Sequence, residues 1–446
     1  MPEMKDFLKD NLEKYITNNN IFIFFILLFI LFLLYLSNKI GKKKEYCKTI
    51  RSERGNSVNS KISEFMSLED LDRIEYFLST DSESGSKYDY TLKDFYIKTA
   101  YNCFCNSGFR NGYVDECALK NCASYGVRAL HMQIFSLDGI PIIGANSVNT
   151  NEYKETYNNI KFKDAISTIN DVYNSSDFGG IQDGNNLKND PLFLILQLHY
   201  GTNLKNDKNV YQSITEVNNK INFYNKIYYS LVEAFGGKFA SSTLKETYKD
   251  DYDSKKNSRY GINDYVMNMK MTETKNKIFI FVIVNGDDDY TAIRKSKLHE
   301  IVDLYEGNGF VSYRYDDMLG LDRVSTIEKS KNNLIFCMPS LTSSYANNDF
   351  VQAIIKGIQF IGMNFQNSDY QLDLYNRFFI NQINNNDSGK TSPYIKKGDS
   401  LIEYHTNFDV DNKTSCEISI SGETEVDSTD VDNNSTEAFT NYYSYY

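Results

Sequence analysis

The sequence contains no tryptophan, although it has 35 tyrosines and 29 phenylalanines. Together with many asparagine, isoleucine and lysine residues, this bias indicates an AT-rich genome and points to no function. The chain also lacks an excess of positive charge: its formal net charge is -11, which argues against a general nucleic-acid binder. A hydrophobic content of 41% over 446 residues supports a substantial core, in one large domain or two modest ones.

The 7 cysteines lack the spacing of a zinc site. Cys103 and Cys105 are close together in the sequence, and so are Cys117 and Cys122. One or two disulfides among them and reduced cytosolic thiols are both open interpretations.

One uninterrupted apolar run, Ile21–Leu36, lies near the N-terminus. As a helix it would be about 24 Å long, slightly shorter than the roughly 30 Å hydrocarbon core of a bilayer. We expect residues 21–37 to form an uncleaved transmembrane helix after an N-terminal segment, 1–20. A cleaved signal peptide is the alternative, but the mixed charge upstream and the lack of a small-residue cleavage site disfavour it.

Basic residues are denser after the apolar run than before it. Lys42, Lys43 and Lys44 lie in this flank, so the positive-inside rule places the C-terminal bulk in the cytosol. We expect residues 38–64 to form a basic, flexible juxtamembrane stalk, whose lysines can also attract anionic lipid headgroups. No basic residue follows Lys413, and we expect the acidic tail, 406–446, to be partly disordered.

Between residues 91 and 401, short apolar runs alternate with helix-like stretches. Strands separated by helices favour a parallel sheet, although this pattern alone does not distinguish a closed barrel from an open sheet. A capping box at Ser67–Asp70 predicts a further helix before them. The predicted strands are Phe95–Thr99, Val127–Gln133, Phe193–Leu198, Ile278–Val284, Gly309–Tyr313, Leu334–Met338 and Gln359–Phe365. The predicted helices include Ile221–Phe235 and Phe350–Lys356.

Several of these segments resemble, in the same order, the catalytic barrel of phosphoinositide-specific phospholipase C. Gly357–Gln366 is similar to the signature Gly-Cys-Gln-Leu-Val-Ala-Leu-Asn-Phe-Gln of the family's second half. The other matching segments are Phe95–Asn102, Gly126–Gln133, Asp138–Ala145, Pro191–His199, Phe235–Phe239 and Pro393–Lys396. The resemblance implies an α/β fold, a TIM-type (β/α)8 barrel of the phospholipase C-like phosphodiesterase type. It divides the barrel into a first half, 65–286, a linker, 287–297, and a second half, 298–405.

Enzymes of this family cleave a phosphodiester with two histidines and a calcium ion, which is held largely by carboxylates. The resemblance assigns the two histidine positions to Tyr101 and Ala145. It assigns a degenerate calcium site to Asn102, His131, Gln133 and Gln197. The remaining pocket positions, which bind substrate in the family, fall on Asn285, Asp287, Ser312, Phe336 and Met338. The core motifs are thus retained, while the acid–base groups and the carboxylates are replaced.

Three other groupings have simpler interpretations. His131 and His199 are only two ligands for a transition metal, and they lie on different strands. The acidic run Asp287–Asp289 is expected to be a solvated turn in the linker, and no base accompanies Cys103 as a nucleophile. We therefore expect no catalytic residue, no metal site and no cofactor, with the family's calcium lost.

The leading hypothesis is a membrane-anchored, catalytically inactive phospholipase C-like protein that serves as a lipid- or protein-binding scaffold. A phosphoinositide or phosphodiester hydrolase with altered catalytic residues is the first alternative. The second is a structural membrane protein of a virus particle. Expected partners are the membrane, with a phosphoinositide or other anionic lipid, or a protein, and no nucleic acid. The expected location is a membrane crossed once, with the C-terminal domain cytosolic, or a virion membrane.

Overall fold

A computed structural model of the chain describes residues 18–56, 64–65, 90–147, 154–174, 190–201, 214–242, 263–284, 287–340, 345–379, 390–391 and 393–401. The chain divides into two units, 1–403 and 404–446, and all the described residues belong to the first. The predicted helix at Ser67–Asp70 and the predicted acidic tail, 406–446, lie outside the described residues.

Eight parallel strands close into a barrel, in the order β2, β3, β6, β7, β8, β9, β10, β11 and back to β2. Their bounds are β2 Phe95–Ala100, β3 Ala129–Leu137, β6 Leu192–His199, β7 Ile278–Val284, β8 Leu304–Glu306, β9 Gly309–Arg314, β10 Leu334–Met338 and β11 Phe360–Met363. Ring closure by eight parallel strands is the TIM-type architecture. Helices separate successive strands except β8 and β9, which are joined directly through Gly307 and Asn308. The predicted fold class is therefore confirmed.

Five further strands lie outside the ring. They are β1 Glu64–Phe65, β4 Ile140–Gly144, β5 Ile160–Lys161, β12 Lys390–Thr391 and β13 Tyr394–Lys396. β4 folds back on β3 as an antiparallel hairpin, and β13 pairs antiparallel with β2. The hairpin turns at Asp138 and Gly139, whose φ angles of 52° and 72° suit these two residue types.

Ten α-helices are described. Their bounds are α1 Asn18–Asn56, α2 Glu116–Ser124, α3 Phe162–Asn174, α4 Ile214–Phe235, α5 Asn263–Met267, α6 Asp287–Arg294, α7 Tyr315–Leu319, α8 Arg323–Asn332, α9 Val351–Ile354 and α10 Tyr370–Phe378. The apolar side chains of Ile21–Leu36 in α1 are all exposed. The longer segment Ile21–Thr49, which contains this run, is the one part of the described chain that is long and apolar enough to cross a membrane.

Aromatic side chains fill the inside of the barrel. The rings of Phe193 and Phe279 stack with their centroids 4.9 Å apart, and Phe360 packs edge-on against Phe281 at 5.7 Å. β6 is buried along its whole length and β7 along nearly all of it, because helices cover the outer face of a parallel barrel. This double burial explains why both strands have continuous apolar sequences, which made them predictable.

Two of the predicted elements need correction. The linker, 287–297, is not a solvated turn at Asp287–Asp289: α6 begins at Asp287. Asp289 is buried and forms an ion pair of 2.9 Å with Lys220. The stalk, 38–64, is not flexible through its first part, because α1 continues as one helix to Asn56.

The disulfide expectation is also corrected. Cys47 and Cys117 form a disulfide with their Cα atoms 5.9 Å apart, and Cys122 is a free thiol. Cys103 and Cys105 are buried free thiols as well. Cys47 is separated from its partner by 70 residues. Spacing along the chain therefore could not identify this pair.

A buried ion pair joins two strands at the lower end of the barrel, opposite the carboxyl ends of the strands. Arg128 precedes β3 and Asp190 precedes β6. Nε and Nη2 of the arginine each lie 3.0 Å from Oδ2 of the aspartate. The side chains are only 2% and 1% exposed, so each charge depends on the other for compensation.

We expect Asp190→Ala to lower the free energy of unfolding by about 3–5 kcal/mol, because it leaves the Arg128 charge buried without its partner. Urea denaturation of the detergent-solubilised full chain measures the change. The matched control is Glu233→Ala, which breaks the ion pair with Lys163, whose two side chains are each 62% exposed. It should cost less than about 1 kcal/mol. Equal losses in the two variants would contradict the structural role of the buried pair.

Candidate functional site

The candidate site lies at the carboxyl ends of the barrel strands, where this architecture places its functional loops. β2 leads directly into Tyr101 and Asn102, and β3 carries His131 and Gln133. Since parallel strands end at the same rim, these side chains meet although they are distant in sequence. We call this group of side chains, together with Gln197 on β6 and Phe336 on β10, the mouth cluster.

Three rings form the centre of the mouth cluster. Tyr101 stacks on His131 with centroids 4.4 Å apart and an interplanar angle of 9°. Phe336 also packs against the imidazole, tilted by 36° and with the ring centroids 5.4 Å apart. The exposed fractions of the three side chains are 1% for Tyr101 and 0% for His131 and Phe336. Solvent therefore does not reach the rings that stand at the centre of the mouth.

Hydrogen bonds fix the protonation of His131. Its Nδ1 accepts the backbone N–H of Asn102 at 3.2 Å, so the proton of the neutral ring lies on Nε2. Nε2 in turn donates to Oε1 of Gln197 at 3.1 Å. Burial, followed by the charge of Arg314, lowers the pKa of His131 well below its usual 6.5. The imidazole is therefore neutral at physiological pH, and its lone pair is already used.

Side-chain amides form the second part of the mouth cluster. Gln133 accepts the backbone N–H of Asn146 at 2.8 Å and donates through Nε2 to the Asn146 side chain at 3.0 Å. Nε2 also lies 3.4 Å from Oε1 of Gln197, and Nδ2 of Asn102 donates to Oε1 of Gln133 at 3.5 Å. The oxygens of both glutamines therefore accept hydrogen bonds from the protein.

A buried arginine supplies the charge of the mouth. Arg314, the last residue of β9, donates to the Tyr101 hydroxyl at 2.9 Å and to the carbonyl of Pro339 at 3.2 Å. It is 6% exposed. Its charge also contributes, after burial, to lowering the pKa of His199 to about 4. His199 stacks on Phe135 at 4.6 Å and thus belongs to the packing beside the mouth.

The other predicted positions are placed as follows. Ala145 is fully buried directly after β4, next to Asn146. Ser312 lies opposite Phe336, and Arg314 lies opposite Met338, in the β9–β10 register. Asn285 lies outside the described residues, and Asp287 is the first residue of α6, with its side chain outside the described part.

Sequence reasoning missed three residues of this region. Arg314 and Asn146 enter the mouth through the polar contacts above, and Glu306, at the end of β8, hydrogen-bonds the Ser312 hydroxyl. Burial raises the pKa of the Glu306 carboxyl above its usual value. The only sequence signal for Arg314 was its position directly after the predicted strand Gly309–Tyr313. β8 was not predicted, so Glu306 had no strand to place it.

The side chains at the family's calcium positions do not fit calcium. Calcium prefers several oxygens, with carboxylates among them, and the four positions carry one imidazole and three neutral amides. The oxygens of Gln133 and Gln197 are engaged within the mouth cluster, and a guanidinium lies close by. Oδ1 of Asn102 is buried and has no hydrogen-bond partner among the described residues. One free amide oxygen cannot replace the several oxygen ligands that calcium needs.

No protein-family model and no curated protein matches the chain. Solved structures do match it. PLC21 of L. pealei shares 14% identity at a TM-score of 0.47, over 74% of this chain and 41% of that one. PLC21 of S. officinalis shares 14% identity at a TM-score of 0.49, over 85% of this chain and 52% of that one. This chain thus spans about half of the length of the PLC21 proteins, or less.

A bacterial structure matches over a more similar length. It is a calcium-dependent phosphoinositol-specific phospholipase C from Pseudomonas sp., in its myoinositol complex. It shares 9% identity at a TM-score of 0.38, over 64% of this chain and 93% of that one. This bacterial protein is named as a phospholipase C, the family that the sequence motifs resemble. The likeness is one of backbone arrangement.

The buried neutral histidines predict loss of stability in acid. Their folded-state pKa values lie below the usual 6.5, at about 4 for His199, so the unfolded chain binds more protons as the pH falls. The stabilisation is present above about pH 6.5 and declines from there toward pH 4, by up to about 1.4 kcal/mol per pH unit for each histidine. Urea denaturation between pH 7 and pH 4.5 measures this slope.

The variant His131→Gln should remove its share of the slope, and His199→Gln the remaining share. A slope that stays the same in both variants would show that other groups cause the acid sensitivity.

Proposed function

We propose that the chain is a membrane-anchored, catalytically inactive phospholipase C-like protein that serves as a lipid- or protein-binding scaffold. The observation that carries this proposal is the closed mouth: the stacked rings of Tyr101, His131 and Phe336 occupy the centre of the barrel's functional end and are buried. A substrate phosphodiester would have to displace this packing before it could reach any polar group inside.

The chemistry of the mouth cluster supports inactivity. Acid–base catalysis needs a group that gains and loses a proton near the working pH. His131 stays neutral, with Nδ1 engaged by a backbone N–H, and Ala145 has no functional group. Gln133 and Gln197 carry no charge to hold a metal that would activate a hydroxyl. The barrel is then best suited to binding through its outer surface and rim.

The anchor gives such a scaffold its location. The apolar side chains of Ile21–Leu36 are exposed along α1, as lipid contact requires. Lys42 and Lys44 follow at the end of this segment and are exposed. They support the cytosolic side for the barrel and attraction to anionic lipids, at about 1 kcal/mol for each lysine near the surface. The same arrangement would serve a structural protein in a virion membrane.

One observation favours a hydrolase with altered catalytic residues as a second candidate. The Glu306 carboxyl hydrogen-bonds the Ser312 hydroxyl at the barrel's functional end, and its pKa is raised by burial. A carboxylate beside a hydroxyl is a pairing that general-base chemistry can use. This pair stands without a described histidine partner or metal, so the inactive scaffold remains the better-supported function.

We expect the purified full chain to release no inositol phosphates from phosphoinositide vesicles, with or without added calcium. Both ring nitrogens of His131 are engaged in hydrogen bonds, and the mouth cluster has no metal-binding carboxylate set. A calcium-dependent phosphoinositide-specific phospholipase C serves as the positive control, and calorimetry with calcium measures binding directly. We expect no calcium binding at the mouth.

Each contrary result has its own diagnostic variant. Hydrolysis that is lost in Glu306→Gln would overturn the inactive scaffold and establish the second candidate. Micromolar calcium binding that Gln133→Ala abolishes would show that amide ligands suffice. Exposed Glu233→Gln is the matched control for the charge change.

The anchor predicts the behaviour of the chain in extraction. We expect it to stay in the membrane pellet at alkaline pH, because each central Leu, Ile or Phe favours insertion by about 0.3–0.6 kcal/mol. Replacing Phe25, Leu28 and Phe32 together by lysine should move the chain to the soluble fraction. Wild-type chain in the soluble fraction, starting downstream of Ser37, would identify a cleaved signal peptide instead.

A further inference from the structure

One face of α1 beyond the apolar segment is docked on the rim of the barrel. Lys39, Lys43 and Cys47 are each partly covered, whereas Lys42, Lys44 and the other residues of 40–49 are exposed. The covered positions recur every four residues, which is the spacing of one helix face. A free stalk would show no such pattern, so α1 forms a defined contact with the barrel.

The rim supplies a matching set of partners. Lys43 pairs with Asp115 at 2.7 Å, and Lys39 lies over the ring of Tyr157 at 3.7 Å. The disulfide joins Cys47 to Cys117 near the N-terminus of α2. Both Asp115 and Cys117 follow the loop that leaves β2 at the mouth. The docked helix therefore contacts the functional end of the barrel.

The non-covalent part of this contact is weak. The side chains of Lys43 and Asp115 are 36% and 24% exposed, and exposed ion pairs contribute little. The rings of Tyr46 and Tyr113 are tilted, with their centroids 6.3 Å apart. Nδ2 of Asn106 donates to the Cys47 sulfur, a weak acceptor, at 3.5 Å. The disulfide is thus the strongest contact described between α1 and the rim.

The disulfide pair also differs from the other described cysteines. Cys103, Cys105, Cys122 and Cys337 are buried free thiols. Burial raises the pKa of each of them, to about 12 for Cys337, which keeps them as unreactive thiols. Cys47 and Cys117 are only partly buried and lie at the edge of the barrel. A thiol-exchange partner can reach this pair, but not the others.

We propose that Cys47–Cys117 is a redox-controlled latch between the membrane helix and the mouth rim. The inference rests on the cytosolic placement proposed above, because cytosolic disulfides are typically transient and redox-sensing. When the pair is oxidised, α1 is fixed to the rim and the barrel is held in one orientation to the membrane. When the pair is reduced, the remaining contacts are too weak to hold the barrel against the helix, and the two separate.

The oxidising reactant is the active-site disulfide of a thiol oxidoreductase. The Cys117 thiolate attacks one sulfur of that disulfide and forms a mixed disulfide, while the second oxidoreductase sulfur leaves as a thiolate. The Cys47 thiolate then attacks Sγ of Cys117 and expels the remaining oxidoreductase sulfur. Two electrons pass to the oxidoreductase, which becomes a dithiol, and the two thiol protons pass to solvent or to its thiolates. Reduction by a dithiol runs the same steps in reverse.

The test uses the full chain in lipid nanodiscs, with a site-specific protease sequence inserted within residues 57–63. The chain is first equilibrated in a glutathione buffer whose redox potential is either oxidising or equal to that of the cytosol. Free thiols are then alkylated and the chain is cleaved. On a denaturing gel without reductant, the helix fragment should stay with the barrel fragment after the oxidising buffer and separate after the cytosolic one. Cys117→Ser should separate in both, and Cys122→Ser, on the same helix, should behave as the wild type.

Release is measured on the uncleaved chain by hydrogen exchange. Reduction should speed exchange in peptides covering 39–49 and 106–117, as should Cys117→Ser, while barrel strands stay protected. Fragments that stay joined at the cytosolic poise would identify a permanent structural bond and overturn the switch. Unchanged exchange after reduction would overturn the release step. Proteolysis of sealed membranes tests the cytosolic placement of the barrel, and hydrolysis assays test its proposed inactivity. Failure of the placement or of the inactivity is therefore distinguishable from failure of the latch.

Discussion

Closure of the barrel between β2 and β3 is the constraint on which the site depends. Only two residue pairs, Thr99 with Ala129 and Ala100 with Leu130, lie in the regular ladder of this seam. Above it, the backbone N–H of Cys103 donates to the carbonyl of His131 at 3.0 Å, and the imidazole accepts the neighbouring N–H. The side chain of His131 thus completes the seam with one hydrogen bond, which a longer ladder would have supplied from the backbone alone. His131 is buried and neutral because its imidazole accepts a backbone N–H within this seam.

The same seam connects the mouth to α1. The chain that leaves β2 forms the short bridge between Cys105 and Val114 and then enters α2 through Asp115. Asp115 caps α2, since its carboxylate accepts the backbone N–H of Cys117 at 3.0 Å, and it also pairs with Lys43 of α1. One carboxylate therefore serves the local helix and the contact with α1. The contact with α1 thus lies at the end of the loop that begins at the mouth.

The sequence was sufficient for the fold and for much of the mouth, but not for the links between distant segments. β6 and β7 are buried on both faces, so their continuous apolar runs were visible, whereas the three residues of β8 are too short for any period to appear. The family motifs assigned Tyr101 and His131 to one mouth, and the structure stacks their rings 4.4 Å apart. Arg314 and the Cys47 disulfide depend on contacts between segments that no local pattern describes. The buried Asp289 was misinterpreted for the same reason, because its partner Lys220 lies on another helix.

The amide side chains of the mouth are stable without a bound cation. A cluster of carboxylates at the end of a barrel repels itself and needs a cation to be stable, so the folded state would be linked to calcium. Amides in the same places donate and accept in pairs, as Gln133 and Asn146 do, and satisfy one another without a ligand. The guanidinium of Arg314 donates to a phenol hydroxyl and a backbone carbonyl. A mouth built in this way can keep its shape whether or not calcium is present.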